Sequence, residues 1–253
     1  MKIVTSPAKL MKTGHKVESP LRSSTPLFIE QATALHEVIK TKTPQYLKKL
    51  MEISDKLADE NWERFQNWVP HPKTSESAQA IFAFQGEVYR GLDASSLGEA
   101  ELQYLQKNYR ILSGLYGLLR PSDRIMLYRL EMGRKFAIEG HSDLYSFWKE
   151  ILTERLSKEL KKGEIILNLA SAEYARALDF KQLTNQVLDV EFLELKSGKP
   201  KNIVVYTKHA RGLMVRYCAI HQVTKKEQLF GFNLEGYRYE ESLSTDQKIT
   251  FTR

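Results

Sequence analysis

Basic and hydroxyl side chains cluster at points where strands are expected to pass into helices. The segment Ser6–Lys9 follows a short strand predicted at Ile3 and Val4, and its serine and proline are typical of the first residues of a helix. The free N–H groups of a helix start attract anions, and Lys9 adds a full positive charge. This corner therefore predicts a phosphate site, and a simple helix cap beside a solvated lysine is the structural alternative.

A second basic junction lies between a strand predicted over residues 202–207 and a helix predicted over residues 210–222. The junction contains Lys208, His209 and Arg211, whose positive charges would oppose the dipole of a helix that starts there. A bound phosphate reverses that unfavourable interaction. Lys208 and Arg211 are therefore the strongest anion-binding candidates among the junctions.

Two glycines define a third candidate, in the segment 112–121. Gly114 and Gly117 are spaced as in the hairpin of a helix-hairpin-helix element, where glycines let backbone N–H groups approach DNA phosphates independently of base sequence. Arg120 follows directly and could take an adjacent phosphate. The structural alternative is a tight turn in which the glycines let two elements pack closely.

Acidic and hydroxyl side chains offer the chemistry of proton transfer. The segment 128–134 alternates apolar and charged residues, which predicts a short strand carrying Arg129 and Glu131. Glu131 would serve as a general base or a metal ligand if it lined a cleft, and a structural ion pair is the alternative. Ser171 and Glu173 follow a predicted buried strand. Ser171 lacks the G-x-S-x-G context of a nucleophile, so we interpret it as a helix cap, with Glu173 near the positive helix end.

The composition limits the partners and the cofactors. The chain has 253 residues, is 42% hydrophobic and carries a net charge of +7, which suits one globular domain with an attraction to polyanions. Cys218 is the only cysteine, so no intramolecular disulfide forms. No histidine spacing or nucleotide-binding fingerprint predicts a metal or a cofactor. No apolar stretch reaches the ~20 residues of a membrane span, so we expect a cytoplasmic protein without a membrane partner.

The order of the predicted elements places these candidates in one mixed fold. Helices are predicted over residues 27–39, 45–53, 54–68, 99–109 and 142–160, and strands over residues 80–84, 164–170, 187–195, 237–243 and 248–252. Residues 12–26 are predicted to form a surface loop. Helices and strands mix without strict alternation, so we predict an α+β fold in a single domain over residues 1–253.

Eight short sequence blocks follow one another along the chain. They are SPAK from Ser6, SDKLA from Ser54, VYRGL from Val88, RILSGLYGLLRP from Arg110, YRLEMG from Tyr128, NLASAEY from Asn168, ARGLM from Ala210 and GFNLEGY from Gly231. With these blocks the chain resembles the YaaA (peroxide stress resistance) family over nearly its whole length. Each block alone is weakly specific, but their number and order make the resemblance specific.

The resemblance implies one domain with a mixed β-sheet wrapped by helices and a helix-hairpin-helix-like element. It also implies binding to double-stranded or structured DNA with little sequence specificity, and a role in limiting unincorporated iron during hydrogen peroxide stress. We expect the protein to act as a monomer. When the family's features are carried over onto the matching blocks, Gly114 and Gly117 fall in the hairpin. The blocks that would form a basic cleft contain Lys9, Arg120, Arg129, Lys208 and Arg211.

The chain departs from the family pattern at four places. Gln85 and His209 stand where family members often have lysine, Leu10 and Met11 replace the usual Thr-Leu, and Leu127 replaces a common proline. The absence of up to two positive charges is expected to weaken phosphate binding. It would also flatten the salt dependence of binding, because each neutralised phosphate of duplex DNA contributes about 0.9 to the log–log slope.

Two functions remain open at this level. The first is a DNA-binding protein that recognises backbone and shape. The second is an enzyme on a phosphorylated or nucleic-acid substrate, in which Lys9 and Arg211 hold phosphate and Glu131, Ser171 or Glu173 carries the chemistry. Convergence of Lys9, Glu131, Ser171 and Arg211 in one pocket would favour the enzyme, and an open convex arrangement would exclude it. Any effect on iron is expected to be indirect, because no metal-ligand spacing is present.

Overall fold

The computed structural model describes residues 1–14, 19–138 and 140–253. Its strands are β1 (Lys2–Thr5), β2 (Leu10–Met11), β3 (Ala78–Gln79), β4 (Phe84–Gln85), β5 (Tyr109–Ser113), β6 (Gly117–Leu119), β7 (Arg124–Ile125), β8 (Ile166–Leu169), β9 (Val187–Lys196), β10 (Lys199–Lys201), β11 (Arg238–Tyr239) and β12 (Lys248–Thr252). Its helices are α1 (Ile29–Ile39), α2 (Pro44–Met51), α3 (Asp55–Asn67), α4 (Ala80–Ala83), α5 (Glu87–Leu92), α6 (Glu99–Asn108), α7 (Leu144–Glu159), α8 (Ala172–Ala175) and α9 (Val204–Ile220).

An eight-stranded mixed sheet runs through the middle of the fold. Its order is β11-β12-β9-β8-β1-β5-β6, and β10 pairs with the end of β9. The five strands from β12 to β5 are parallel, whereas β11, β6 and β10 join their neighbours antiparallel. This arrangement of helices around a mixed sheet confirms the predicted α+β class.

The centre of the sheet creates a place for a ligand. All four residues of β1 are buried, because β5 lies on one side of it and β8 on the other. The chain leaves β1 toward β5 and later leaves β8 in the opposite direction, toward β9. A crevice opens outside the carboxyl ends of parallel strands at such a reversal. We therefore expect ligand-binding groups directly after Thr5 and Leu169.

Two helices cross at very short distance beside this crevice. Gly91 of α5 and Gly212 of α9 face each other's backbone, and a Cβ atom built on Gly212 would lie 1.9 Å from the carbonyl oxygen of Val88. A Cβ atom on Gly91 would lie 2.2 Å from the carbonyl oxygen of His209. Only glycine permits this approach, which fixes α9 against α5.

The segment with Gly114 and Gly117 forms a β-hairpin between β5 and β6, so the helix-hairpin-helix element is not confirmed at these residues. Both glycines are buried and cannot present N–H groups to DNA. A Cβ atom on Gly114 would lie 2.2 Å from the carbonyl oxygen of Leu130. The structural alternative, close packing of two elements, is therefore the role of these glycines. Gly114 lets the hairpin pack closely against the segment that carries Arg129 and Glu131.

Several predicted elements are confirmed and others are wrong. The helices α1, α2, α3 and α6 lie where periodicity placed them, and Ser54 caps α3 by accepting a hydrogen bond from the N–H of Leu57 at 3.4 Å. The cap of α7 is Asp143, one residue after the predicted start of this helix at Ser142. Residues 80–84 form the buried helix α4 and only the start of β4, because an apolar run buried on all sides fits either structure.

The strand predicted over residues 202–207 is also wrong. Residues from Val204 onward already belong to α9, although the β-branched run at residues 203–205 favours a strand. The strand predicted over residues 128–134 is absent from the described part of the chain, where residues 128–131 have no regular secondary structure. The predicted loop over residues 12–26 includes residues 15–18, which lie outside the described residues. The C-terminal hairpin is confirmed in the pairing of β11 with β12.

Candidate phosphate-binding cleft

A cavity of about 510 Å³ opens outside the carboxyl ends of β1 and β8. Two serines line it: Ser6 follows β1 directly, and Ser171 follows β8 after one intervening residue, Ala170. Ser6 Oγ donates a hydrogen bond to Ser171 Oγ at 3.1 Å, and the N–H of Ser171 donates to Ser6 Oγ at 2.9 Å. The volume lies within the range of ligand pockets, so this cleft is the candidate site.

Seven charged side chains line the cleft and come from distant parts of the sequence. They are Lys9, Arg129, Lys208 and Arg211, with Glu87, Glu131 and Glu173. Lys208 and Arg211 are three residues apart on α9, which puts both on the same side of the helix. The four residues whose convergence would favour an enzyme, Lys9, Glu131, Ser171 and Arg211, thus share one pocket.

Arg211 is the cation with an unsatisfied donor. Its Nε is buried and has no hydrogen-bond partner among the described residues. Burial lowers the pKa of its guanidinium, while the carboxylate of Asp189 acts in the opposite direction. A buried donor without an acceptor is unfavourable, and a phosphate oxygen is an acceptor that forms strong, charge-assisted bonds with guanidinium groups. The geometry of Arg211 therefore suits an anionic ligand.

Glu131 holds three cations at the cleft wall. Its Oε1 accepts hydrogen bonds from Arg129 at 3.0 and 3.2 Å and lies 3.5 Å from Lys9 Nζ. Arg134 Nε lies 3.8 Å from its Oε2, which is buried and has no hydrogen-bond partner in the described part of the chain. The predicted ion pair of Glu131 is confirmed by these contacts. Its use as a general base stays a prediction.

Ser171 directly precedes the short helix α8, and Glu173 lies within it. Ser171 occupies the cap position, but its side chain makes no capping hydrogen bond and contacts Ser6 instead. Glu173 Oε1 accepts a hydrogen bond from the N–H of Gly133 at 3.0 Å. This bond ties α8 to the segment that carries Arg129 and Glu131, so the two walls of the cleft are joined.

Arg120 does not line the cleft. Its guanidinium binds Asp123 Oδ1 through two nitrogens, at 2.7 and 3.0 Å, and donates a third hydrogen bond to the carbonyl of Thr25. These bonds use the donors on Nε and Nη2 and give Arg120 a structural role outside the cleft. The predicted place of Arg120 in the cleft is therefore corrected, and its phosphate contact stays a prediction.

Neither predicted basic junction is a helix start, and both junctions lie within the described residues. Residues 6–8 are irregular and lead into the two-residue strand β2, because the bond from Ser6 to Ser171 replaces a cap. Lys9 is 62% exposed at its side chain. Lys208 and Arg211 lie beyond the first turn of α9, which begins at Val204. The positive charge at both junctions therefore comes from side chains and not from a helix start.

Some cleft residues were missed from the sequence. Tyr89 of α5 donates a hydrogen bond from its hydroxyl to the carbonyl of Ser6 at 3.0 Å, and burial raises the pKa of this hydroxyl strongly. Glu87 and Tyr128 also line the cleft. Tyr89 belongs to the VYRGL block, so the block was the available signal. Tyr128 belongs to YRLEMG.

A larger groove of about 1120 Å³ also has Arg211 in its lining, which is the one residue that it shares with the cleft among the described residues. Among the described residues, none of the helices is both long enough and apolar enough to cross a bilayer. The same part of the chain contains no group of three or more His, Cys, Asp and Glu side chains arranged to hold a metal ion.

Comparisons with known proteins match this chain over its full length. A family model described as peroxide stress protein YaaA matches residues 1–243. A UPF0246 protein of Flavobacterium johnsoniae is 47% identical over 255 residues, covering 100% of both chains. UPF0246 proteins of Flavobacterium psychrophilum and Albidiferax ferrireducens are each 44% identical, covering 100% of this chain and 100% and 98% of their own lengths.

Proposed function

This chain belongs to the peroxide stress protein YaaA family, and from the geometry of its cleft we propose that it acts in peroxide stress by binding double-stranded or structured DNA. The observation that carries the proposal is the gathering of Lys9, Arg129, Lys208 and Arg211 around one cavity, with the buried Nε of Arg211 lacking a partner among the described residues. Phosphate oxygens fit the donors of Lys208 and Arg211, which form no ion pair among the described residues, whereas Lys9 and Arg129 already contact Glu131 and would share their charge with it.

The expected recognition is of backbone and shape. Lysine and arginine contacts to phosphate fix the position of a duplex but carry no base information. The net charge of +7 adds a long-range attraction to any polyanion. We propose that this DNA binding contributes to limiting unincorporated iron during peroxide stress. A measurement of free cellular iron in peroxide-treated cells, with and without an intact cleft, tests that connection.

Two exposed lysines offer the cleanest test of the cleft. We expect the double variant Lys9→Gln, Lys208→Gln to bind duplex DNA more weakly and with a flatter salt dependence, because each phosphate that a lysine neutralises contributes about 0.9 to the log–log salt slope. Fluorescence anisotropy with a labelled duplex across a salt series measures both quantities. Both side chains are exposed, so the fold should be unaffected.

The matched control is Lys56→Gln, Lys162→Gln, which removes the same charge at exposed positions outside the cleft. This control should bind nearly as the unmodified protein does. Equal reductions of affinity in both double variants would mean that net charge alone drives binding, and the cleft would have no specific role.

An enzyme is the second candidate, because Lys9, Glu131, Ser171 and Arg211 converge in one cavity. In this alternative Lys9 and Arg211 hold the phosphate of a phosphorylated or nucleic-acid substrate. Glu131 or Glu173 takes a proton from the reacting group, and Ser6 and Ser171 position the substrate. The buried Oε2 of Glu131, without a hydrogen-bond partner among the described residues, is the observation in its favour.

Glu131→Gln separates the two functions. A protein that only binds should bind duplex DNA about fivefold more tightly after this change, because removal of one negative charge contributes roughly 1 kcal/mol near phosphate. An enzyme should lose turnover instead. Anisotropy and product analysis on nucleic acid and phosphorylated substrates measure the two effects, and Glu173→Gln is the second variant if the first one unfolds. Weaker binding by a folded Glu131→Gln protein would contradict the binding account.

A further inference from the structure

A lysine-rich hairpin projects next to the start of α9. We define the lysine ribbon as residues 194–201, in which the end of β9 pairs antiparallel with β10. Ser197 and Gly198 form its turn with φ angles of +52° and +74°. Positive φ at both central residues is typical of the tight two-residue turn that keeps two strands twisted together. The ribbon is thus a defined structural element and not an irregular loop.

One face of the ribbon is strongly basic. Lys196 lies directly opposite Lys199, and Lys201 lies opposite Glu194. Directly paired residues, and residues two apart on a strand, point to the same face, so all three lysines share it. The carboxylate of Glu194 is already bonded to the Tyr237 hydroxyl at 2.6 Å and to Arg253 Nε at 2.9 Å.

This arrangement is unfavourable without an anionic partner. The three lysines are exposed, and none forms an ion pair with any residue in the described ranges. Like charges directly across an antiparallel pair destabilise it. Leu195 on the opposite face is 53% exposed, whereas the basic face is anchored at Glu194 by its contacts with Tyr237 and Arg253. A partner of dense negative charge would reverse the repulsion between Lys196 and Lys199.

We infer that the lysine ribbon lies in a groove of duplex DNA while the cleft holds backbone phosphates. The major groove of B-DNA, about 12 Å wide, admits a two-stranded β-ribbon. The chain continues from Lys201 into α9 at Val204, and Lys208 follows about 6 Å further along that helix. The ribbon therefore leads directly into the helix that carries Lys208 and Arg211, although residues 202–207 between them contain no basic side chain. This inference rests on the proposed DNA-binding function and assigns it a second contact.

The test compares the triple variant Lys196→Gln, Lys199→Gln, Lys201→Gln with the triple variant Lys56→Gln, Lys162→Gln, Lys225→Gln, which removes equal charge elsewhere. Anisotropy is measured with a labelled duplex and with one of its single strands, across a salt series. The duplex salt slope of the ribbon variant should be flatter by up to about 2.7, since three lysines each contribute about 0.9. Its affinity for the single strand should change much less, because a single strand has no groove.

The outcomes separate this inference from the proposed function. Duplex binding by the ribbon variant equal to that of its control would overturn the inference, and weaker binding by the cleft variant would then leave the proposed function standing. Equal reductions on duplex and single strand would overturn the groove placement. Absence of DNA binding by the unmodified protein would overturn both. Ribbon-dependent binding to anionic phosphatidylserine vesicles, with duplex binding unchanged, would assign the ribbon to a lipid surface and overturn the inference.

Discussion

Replacing Gly212 with alanine is expected to lower the free energy of unfolding by about 3 kcal/mol, the upper end of the cost of overpacking a core. The added Cβ would lie 1.9 Å from the carbonyl oxygen of Val88 and 2.7 Å from the amide nitrogen of Leu92. Both obstacles are backbone atoms of α5, so no side-chain rotation relieves the contact. The two helices must separate, and Lys208 and Arg211 move with α9.

Urea unfolding measures this destabilisation, and the duplex affinity of the folded fraction reports the displacement of the cleft. Gly98→Ala is the control, because the nearest atom to its added Cβ is the carboxylate end of Glu101, which can rotate away. Gly91→Ala, on the opposite side of the same crossing, should resemble Gly212→Ala. Near-normal stability of both crossing variants would contradict the claim that this contact fixes α9.

Replacing Glu159 with glutamine is expected to lower the free energy of unfolding by about 3–5 kcal/mol at neutral pH, because it leaves buried cations without their partner. Arg110 Nη2 lies 2.7 Å from its carboxylate, Arg155 Nε lies 2.8 Å from it, and Lys2 Nζ lies 3.9 Å away. Arg110 and Lys2 are buried, so water does not replace the missing charge.

The pH dependence follows from the same contacts. Burial of Glu159 acts to raise its pKa, but Arg110 and Arg155 outweigh burial and hold the pKa below the ordinary value. The stabilisation is therefore complete above the unfolded pKa of about 4.3 and is lost as pH falls through the lower folded pKa. Glu159→Gln should flatten the acid side of the stability curve.

Urea unfolding at neutral and acidic pH measures both effects. Glu154→Gln is the matched control, because its partner Lys158 and Glu154 itself are exposed at 69% and 64% of their side chains. Exposed ion pairs contribute little to stability. A Glu159→Gln protein as stable as this control, with an unchanged acid transition, would show that the buried network does not stabilise the amino end of β1.

The positions of individual helices and strands were predicted from the sequence more accurately than the contacts between them. Amphipathic periodicity and Ser54 located α3 because both signals act within one helix. The start of α9 was missed because Val204 and Val205 favour a strand, yet they are exposed in the first turn of a helix whose packing begins later. The local preference of these two residues for a strand is therefore not what sets the start of this helix.

The sequence identified several residues that line the candidate cleft, but the structural argument for choosing them was wrong. Lys9, Lys208 and Arg211 were chosen as cations at helix starts, whereas the cleft forms because β1 and β8 are neighbours. That pairing joins residues more than 160 positions apart, and no local pattern records it. Gly114 and Gly117 have the spacing of a DNA-binding hairpin, but the same spacing serves a buried β-hairpin against Leu130. Spacing alone does not distinguish the two.

The most direct test of the central claim is the salt dependence of duplex binding by the unmodified protein, measured by anisotropy with duplex, single-stranded and junction DNA. If the cleft cations neutralise phosphates, log affinity falls linearly with log salt, with a slope of about −0.9 for each phosphate neutralised on duplex DNA. The ranking of the three DNAs then identifies the shape that is bound. Absence of binding to all three at low salt would contradict DNA binding and direct the search to phosphorylated small molecules in the same cleft.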